Sequence, residues 1–271
     1  MTVASSISAP QNLPAHLRHW GLYAEPFAPG LLSAGMRNEG FVEGEAIQEV
    51  LARLYFTIEE QFPVMTIVAA SGMGKTQLLD YASQQITAGN RRLTRIDQKT
   101  IQRSPDCFVK LLKQNWSIQS MVGPQAVVVV DQVDQLDSLQ QRELAQLTEA
   151  IYSCEQAPTL ILSLTDPQSI QAPLKTLLRE GLTAKIPAWK GDELTALISK
   201  RLSSASLPRS PFASAGLTRL IAESGGSPRT CLKLAQQCLL LGALKREPVI
   251  DQQLVQQAVH QLAAEQSVWD D

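Results

Sequence analysis

The stretch AASGMGKT, at positions 69–76, places two glycines, a lysine and a threonine between an apolar run and a helical pattern. A glycine-rich turn that opens a helix aims backbone N–H groups and the positive end of the helix dipole at an anion. In such a turn, Lys75 would reach the β- and γ-phosphates of a nucleotide, and the Thr76 hydroxyl would coordinate Mg²⁺. We therefore predict that ATP is bound by a set of consecutive residues: Ala69, Ala70, Ser71, Gly72, Met73, Gly74, Lys75, Thr76 and Gln77.

This loop departs at one position from the phosphate-loop (Walker A) pattern G-x-x-x-x-G-K-[ST]. Ala69 stands where the pattern has its first glycine, whereas Gly74 and the lysine and threonine after it match. The first glycine marks the exit from the strand and makes less contact with phosphate than the later residues. We therefore expect the alanine to be tolerated.

A second polar group follows the apolar run at 127–130, in the stretch VVVVDQVDQL. Asp131 ends that run and is expected to hold Mg²⁺ together with Thr76. Many such ATPases have a glutamate at the next position, which here is Gln132. An amide can orient the attacking water but cannot accept its proton. Asp134 either assists catalysis or caps the following helix, and we predict slow ATP hydrolysis.

The elements that would position these residues alternate between strand and helix. The runs at 64–70, 127–130 and 159–165 are mostly apolar and do not alternate with polar residues, which is typical of parallel strands covered by helices on both faces. From about Lys190 onward the pattern predicts helices alone. We predict an α/β fold whose parts are a flexible tail at 1–15, an α/β domain at 16–188 and a small all-helical lid domain at 189–265.

Composition and charge narrow the classes of function. The net charge of -2 gives no overall attraction to nucleic acid, so DNA binding would depend on a local basic cluster: Arg91, Arg92, Arg95, Lys99 and Arg103. That cluster is either a solvated face or a DNA contact.

The four cysteines lack metal-site spacing. No apolar run approaches the ~18–20 residues that span a bilayer, and the first residues lack a secretory signal, so we predict a cytoplasmic protein without a membrane span.

Several further stretches resemble one family, the AAA+ P-loop ATPases of the general secretion pathway protein A (ExeA-like) type. WGLYAEPF at 20–27 is similar to the family's N-terminal Gly-Leu-x-x-x-Pro-Phe motif. FVEGEAIQEVLARL at 41–54 resembles the stretch before the phosphate loop. GGSPRTCLKLAQQCLLLG at 225–242 resembles the Gly-Gly-x-Pro-Arg lid motif, and VIDQQLVQQAV at 249–259 the closing helix.

The resemblance implies roles for residues outside the phosphate loop. Arg229 would be the lid arginine (sensor 2) that reaches the γ-phosphate, or else a solvated arginine at a helix start. Thr165 would be the polar sensor 1, or else simply a strand-end residue. Family members often carry an arginine finger near Arg179, but Gly181 occupies the aligned position here. Activation of hydrolysis by a neighbouring copy is therefore in question.

Three functions remain open from the sequence. The first is a Mg-dependent ATPase that acts as a conformational switch in the assembly or regulation of a larger complex, with a protein partner or a homo-oligomer. The second is a nucleotide-binding adaptor that binds ATP and ADP but hydrolyses little, as Gln132 suggests. The third is a DNA-associated regulator ATPase, which only the basic cluster supports.

Overall fold

Five parallel strands form the sheet of an α/β unit that spans Glu43–Pro187 in the computed structural model. The order across the sheet is β2-β3-β4-β1-β5. Every residue of β3 and β4 is buried, because helices cover both faces of the sheet. The strands are β1 at Val64–Val68, β2 at Leu93–Ile96, β3 at Val127–Val130, β4 at Thr159–Leu164 and β5 at Leu182–Lys185.

This strand order brings the carboxyl ends of β1, β3 and β4 together at one edge. Val130 of β3 is in register with Leu162 of β4, and Val68 of β1 is in register with Leu164. The residues that follow β1 and β3 therefore lie beside the last residues of β4. This is the edge at which ligands bind in open parallel sheets.

Polar side chains cap two helices of the α/β unit. Asp97 accepts a hydrogen bond from the backbone N–H of Thr100, and Asp137 forms a reciprocal capping box with Gln140. Short 3₁₀ turns occupy Val133–Gln135 and Pro167–Ser169. The α-helices are Glu45–Glu59, Lys75–Ala88, Gln98–Arg103, Cys107–Leu112, Ser138–Tyr152 and Leu174–Glu180.

A second unit is helical and combines Ala188–Asp271 with the N-terminal part of the chain up to Val42. Its core is apolar and includes the buried thiols of Cys231 and Cys238. An isolated bridge between Phe212 and Ile250 supplements the helices. The helices are Ala15–Trp20, Gly191–Ser204, Ser214–Glu223, Pro228–Lys245 and Gln252–Asp270.

The structure describes residues 13–27, 42–113, 126–154, 156–205 and 210–270, with side chains through residue 264. Most of the tail expected at 1–15 lies outside these ranges. Within them, no helix is long and apolar enough to cross a membrane.

The α/β fold with a parallel sheet and flanking helices is confirmed, but two details differ from the sequence interpretation. β5 was not predicted, because its four residues LTAK form a polar strand that is only partly buried. The segment at 16–27 was expected in the α/β domain, yet it lies in the helical unit. The reason is that Leu17, Leu22 and Phe27 are buried in that unit's core. The junction between the units falls at Pro187 and Ala188, one residue before the expected boundary.

Candidate functional site

The loop after β1 has the backbone conformation of a tight anion cradle. Gly72 and Gly74 have φ angles of 84° and 94°, in the left-handed region that glycine tolerates. A Cβ at Gly74 would meet nothing within 4 Å, so the requirement there is conformational rather than steric. Gly74 is also the N-cap of the helix Lys75–Ala88 and has no side chain that could cap its first-turn N–H groups. These N–H groups suit an anion such as phosphate.

Lys75 folds back over this loop. Its Nζ donates hydrogen bonds to the carbonyl oxygens of Ala69 at 2.6 Å and Ala70 at 3.2 Å, and to Thr165 Oγ1 at 3.0 Å. The side chain is buried, which a lysine tolerates only when its ammonium has partners. The ammonium therefore joins the phosphate loop to the residue that directly follows β4.

Asp131 forms a second connection across the same edge. Thr76 Oγ1 donates to Asp131 Oδ2 at 2.8 Å, and the Ser163 hydroxyl donates to Asp131 Oδ1. The carboxylate is buried, with 2 % of the residue exposed. A threonine hydroxyl beside a carboxylate supplies the hard oxygen ligands that Mg²⁺ prefers, so these two residues fit the predicted magnesium site.

Gln132 continues from Asp131 with a left-handed backbone, at a φ angle of 61°. Its N–H donates to Ser163 Oγ at 3.0 Å. Ser163 thus contacts both the carboxylate of Asp131 and the backbone of the next residue. The half-buried Gln132 side chain projects from a backbone that this hydrogen bond fixes.

Asp134 does not cap the following helix. The cap is Asp137, whereas Asp134 Oδ1 accepts a hydrogen bond from the backbone N–H of Thr165 at 3.0 Å. Asp134 therefore anchors the end of β4, next to the hydroxyl that Lys75 contacts. Its position beside Thr165 makes it a positioning residue in this structure.

No protein-family model matches the chain, and no curated protein matches it. Solved structures do. Domain III of the Thermotoga maritima replication initiation protein DnaA matches with a TM-score of 0.60 and 16% identity, over 82% of this chain and 95% of that one. Aeropyrum pernix Orc1 in complex with DNA matches with a TM-score of 0.62 and 14% identity, over 90% and 69%. The Thermotoga maritima RuvB Holliday junction branch migration motor matches at 0.55 and 16%, over 81% and 70%.

The chain shares the parallel-sheet α/β fold of these three structures. At these identities the similarity concerns the fold alone. It supports the AAA+ class, and it does not distinguish the ExeA-like type within that class.

Two residues at this edge of the sheet were missed by the sequence interpretation. Ser163 interrupts the apolar strand TLILSL, and a buried hydroxyl in such a strand needs a partner, which was the available signal. Arg95 was counted only in the basic cluster. Its Nη1 hydrogen-bonds to Asp80 Oδ1, and its Nη2 lies 3.7 Å from Asp131 Oδ2.

The charge of Arg95 also acts on the residue that follows β2. Burial raises the pKa of the Asp97 carboxyl, but hydrogen bonds from Thr100 and the charge of Arg95 lower it by more. The pKa of Asp97 therefore ends below its ordinary value. Arg95 thus lies among acidic groups, which is the opposite of an open basic face.

Two of the predicted site residues lie elsewhere: Arg179 is in the α/β unit but away from this edge, and Arg229 is in the helical unit. Arg179 is exposed in the last turn of the helix Leu174–Glu180, just before β5, at the sheet edge opposite the phosphate loop. A Cβ at Gly181 would lie 2.7 Å from the Val64 carbonyl oxygen, so no arginine fits there. Arg229 is exposed in the first turn of a helix in the helical unit, whose cap is Ser227.

Proposed function

We propose that this protein binds ATP and hydrolyses it slowly with Mg²⁺, acting as a conformational switch in the assembly or regulation of a larger complex. One observation carries the proposal. Lys75 and Thr76 from the phosphate loop contact Thr165 after β4 and Asp131 after β3, respectively, at a single edge of the sheet. These contacts bring together an ammonium, a carboxylate and two hydroxyls, which are the groups that P-loop proteins use to hold phosphates and Mg²⁺.

Each residue has a distinct role in this proposal. Lys75 exchanges the carbonyls of Ala69 and Ala70 for β- and γ-phosphate oxygens, while Thr165 contacts the γ-phosphate end. Thr76 and Asp131 would hold Mg²⁺, which would neutralise charge on the transferred phosphoryl group. Gln132 orients water without accepting its proton. General-base assistance is worth ~10²–10⁴-fold, so its absence slows turnover.

The switch would use residues of the helical unit and of neighbouring copies. Arg229 would distinguish ATP from ADP by its contact with the γ-phosphate. Arg179 would act on the site of an adjacent copy, because it is exposed at the opposite edge of its own sheet. A homo-oligomer or a protein partner in the cytoplasm is the setting that we infer for this activity.

The ExeA-like assignment is part of the proposal. Two segments that resemble the family contact each other within the helical unit. Trp20 Nε1 donates to the Leu239 carbonyl at 2.8 Å, and Gln236 Nε2 donates to Glu25 Oε2 at 2.9 Å. The N-terminal motif and the lid motif therefore pack together, which gives a reason for their joint presence in one chain.

A DNA-associated regulator is the second candidate, because Orc1 in complex with DNA is among the matching folds. The local charges weigh against it. Arg91 pairs with Glu59 at 3.0 Å, and Arg95 pairs with Asp80, so two members of the basic cluster have acidic partners. Arg92, Lys99 and Arg103 remain exposed.

Steady-state phosphate release, measured together with equilibrium ATP binding, tests the proposal. The wild type should bind Mg-ATP tightly and turn over slowly, whereas Lys75→Ala should lose both properties. Lys110→Ala is the matched control, because Lys110 has an exposed side chain that pairs with Asp106 and contacts no residue of the proposed site. Binding without any turnover would favour the adaptor instead, and salt-dependent DNA binding would favour the regulator. Equal ATP affinity in Lys75→Ala and the wild type would contradict the assignment of the loop.

A further inference from the structure

The guanidinium of Arg95 lies beside the carboxylate of the proposed magnesium site. Arg95 belongs to β2 and is in register with Val129 of β3, two residues before Asp131. Its Nη2 lies 3.7 Å from Asp131 Oδ2, which is too long for a hydrogen bond. The contact is therefore one of charge. It joins side chains that are 23 % and 3 % exposed, where water screens charge poorly.

The oxygen that Arg95 approaches is the one that Thr76 also contacts. Thr76 Oγ1 donates to Asp131 Oδ2, while Ser163 takes the other oxygen of the same carboxylate. A divalent cation held by Thr76 and Asp131 would therefore lie close to the same carboxylate oxygen as the guanidinium of Arg95. Because both carry positive charge, each lowers the affinity of the carboxylate for the other.

Asp80 limits how closely Arg95 approaches. Arg95 Nη1 hydrogen-bonds to Asp80 Oδ1, so the shorter contact of the guanidinium is with Asp80 and the longer one with Asp131. Asp80 lies four residues after Thr76 on the same helix, and positions four apart share one helix face. The helix that carries the magnesium threonine therefore also carries the group that restrains the competing charge.

We propose that Arg95 is a positioning residue that lowers the affinity of Asp131 for a divalent cation, and that Asp80 weakens this effect by holding the guanidinium back. The inference rests on the proposed function for the identity of the metal site. In the absence of a cation, Arg95 stabilises the buried charge of Asp131. When a cation is bound, the hydrogen bond with Asp80 holds the guanidinium back from it.

Mn²⁺ binding to the full-length, nucleotide-free chain, followed by electron paramagnetic resonance, tests the proposal. Arg95→Gln should bind Mn²⁺ about tenfold more tightly than the wild type, because a neighbouring positive charge is removed. Asp80→Ala should bind it several-fold more weakly, because Arg95 is then free to approach Asp131. The double variant should resemble Arg95→Gln, since Asp80 acts through Arg95. Arg91→Gln is the matched control and should leave Mn²⁺ affinity unchanged, because Arg91 pairs with Glu59 instead.

A purely structural role for Arg95 predicts the opposite sign. If Arg95 only holds Asp131 in place, Arg95→Gln weakens Mn²⁺ binding, and an unchanged or weaker affinity overturns the proposal. Should circular dichroism show that Arg95→Gln is unfolded, Asp80→Ala decides, and an unchanged or tighter affinity there overturns it. ADP binding in the presence of EDTA separately tests the proposed function. A chain that binds no ADP, yet gains Mn²⁺ affinity in Arg95→Gln, would remove the proposed function and support the inference.

Discussion

The interiors of the two units differ in the number of polar groups that they contain. Among the described residues, two buried polar side chains lie in the helical unit, Arg201 and Ser224. Nine lie in the α/β unit: Thr57, Thr66, Lys75, Ser83, Asp131, Gln141, Thr148, Thr159 and Ser163. Burying a polar group costs free energy unless it is hydrogen-bonded, so such groups concentrate where a fold has a use for them.

The two units also differ in how their buried charged side chains are hydrogen-bonded. Lys75 and Asp131 each have several hydrogen-bond partners from different elements of the sheet edge. Arg201 lies in the apolar core of the helical unit, where burial lowers the pKa of its guanidinium. Its Nε has no hydrogen-bond partner among the described residues. A buried charge therefore indicates a functional site when partners from several elements surround it, and burial alone does not.

The largest effect that we expect concerns the residue after Asp131. Gln132→Glu restores a carboxylate that can accept a proton from water, so the rate of ATP hydrolysis should rise by up to ~10²–10⁴-fold. The measurement is steady-state phosphate release at saturating Mg-ATP. Gln135→Glu, an exposed position in the following turn, is the control for added charge. A wild type that already hydrolyses ATP briskly by itself would show that Gln132 does not limit turnover.

Two of the buried serines, Ser163 and Ser224, allow a direct comparison of the interiors. Ser163→Ala removes a hydrogen bond to a charged carboxylate and leaves the Gln132 N–H without its acceptor, so unfolding free energy should fall by about 2–3 kcal/mol. Ser224→Ala removes a bond to the neutral Ile221 carbonyl and should cost about 1 kcal/mol. Denaturant unfolding of both variants gives the two values. Equal losses would mean that the charge of Asp131 adds nothing to the Ser163 bond.

The Arg229→Ala variant tests whether the helical unit contributes a positive charge to nucleotide recognition. If Arg229 contacts the γ-phosphate, Arg229→Ala should lower the ratio of ATP to ADP affinity by roughly tenfold, with ADP affinity nearly unchanged. Competition binding with a fluorescent nucleotide measures both affinities. Arg246→Ala, at the other end of the same helix, is the control. An unchanged ratio would leave Arg229 as a solvated residue.

The smallest effect concerns the thiols of the helical core. Burial raises the pKa of both Cys231 and Cys238 to about 12, so at pH 8 they are protonated as well as shielded. Iodoacetamide should therefore leave both unmodified in the folded protein, while the half-buried Cys154 of the α/β unit reacts first. Mass spectrometry of the digested protein shows which peptides carry the label. Early modification of Cys238 would indicate that this core opens readily.

The parts of the site that the sequence predicted are those encoded by neighbouring residues. The phosphate loop is a contiguous pattern, and Asp131 directly follows a recognisable strand. The contacts of Ser163 and Arg95 were not predicted, because they depend on strand register. Arg95 pairs with Val129, and Ser163 lies on the strand next to β3. Sequence alone does not specify which strands are neighbours.

The same reason explains the errors in the fold. The segment at 16–27 was assigned to the α/β domain because it precedes that domain in the chain. It instead contacts distant parts of the chain: Phe27 lies against Phe212, and Trp20 donates a hydrogen bond to the Leu239 carbonyl. β5 lacks the apolar run that marked β1, β3 and β4, because it is an outer strand of the sheet, as β2 is.

The Ser163 hydroxyl connects the backbone N–H of Gln132 to the carboxylate of Asp131, so a change of charge at the carboxylate affects both hydrogen bonds. A hydroxyl carries a single hydrogen, so a group that accepts from the Gln132 N–H and donates to Asp131 has a fixed orientation. The peptide group, the hydroxyl and the carboxylate then form an aligned chain of dipoles, in which each bond strengthens the next. Positive charge that draws electron density from Asp131 weakens both bonds in turn. The backbone amide of Gln132 thus reports the electrostatic state of a carboxylate two hydrogen bonds away, and its proton chemical shift is a built-in probe of that state.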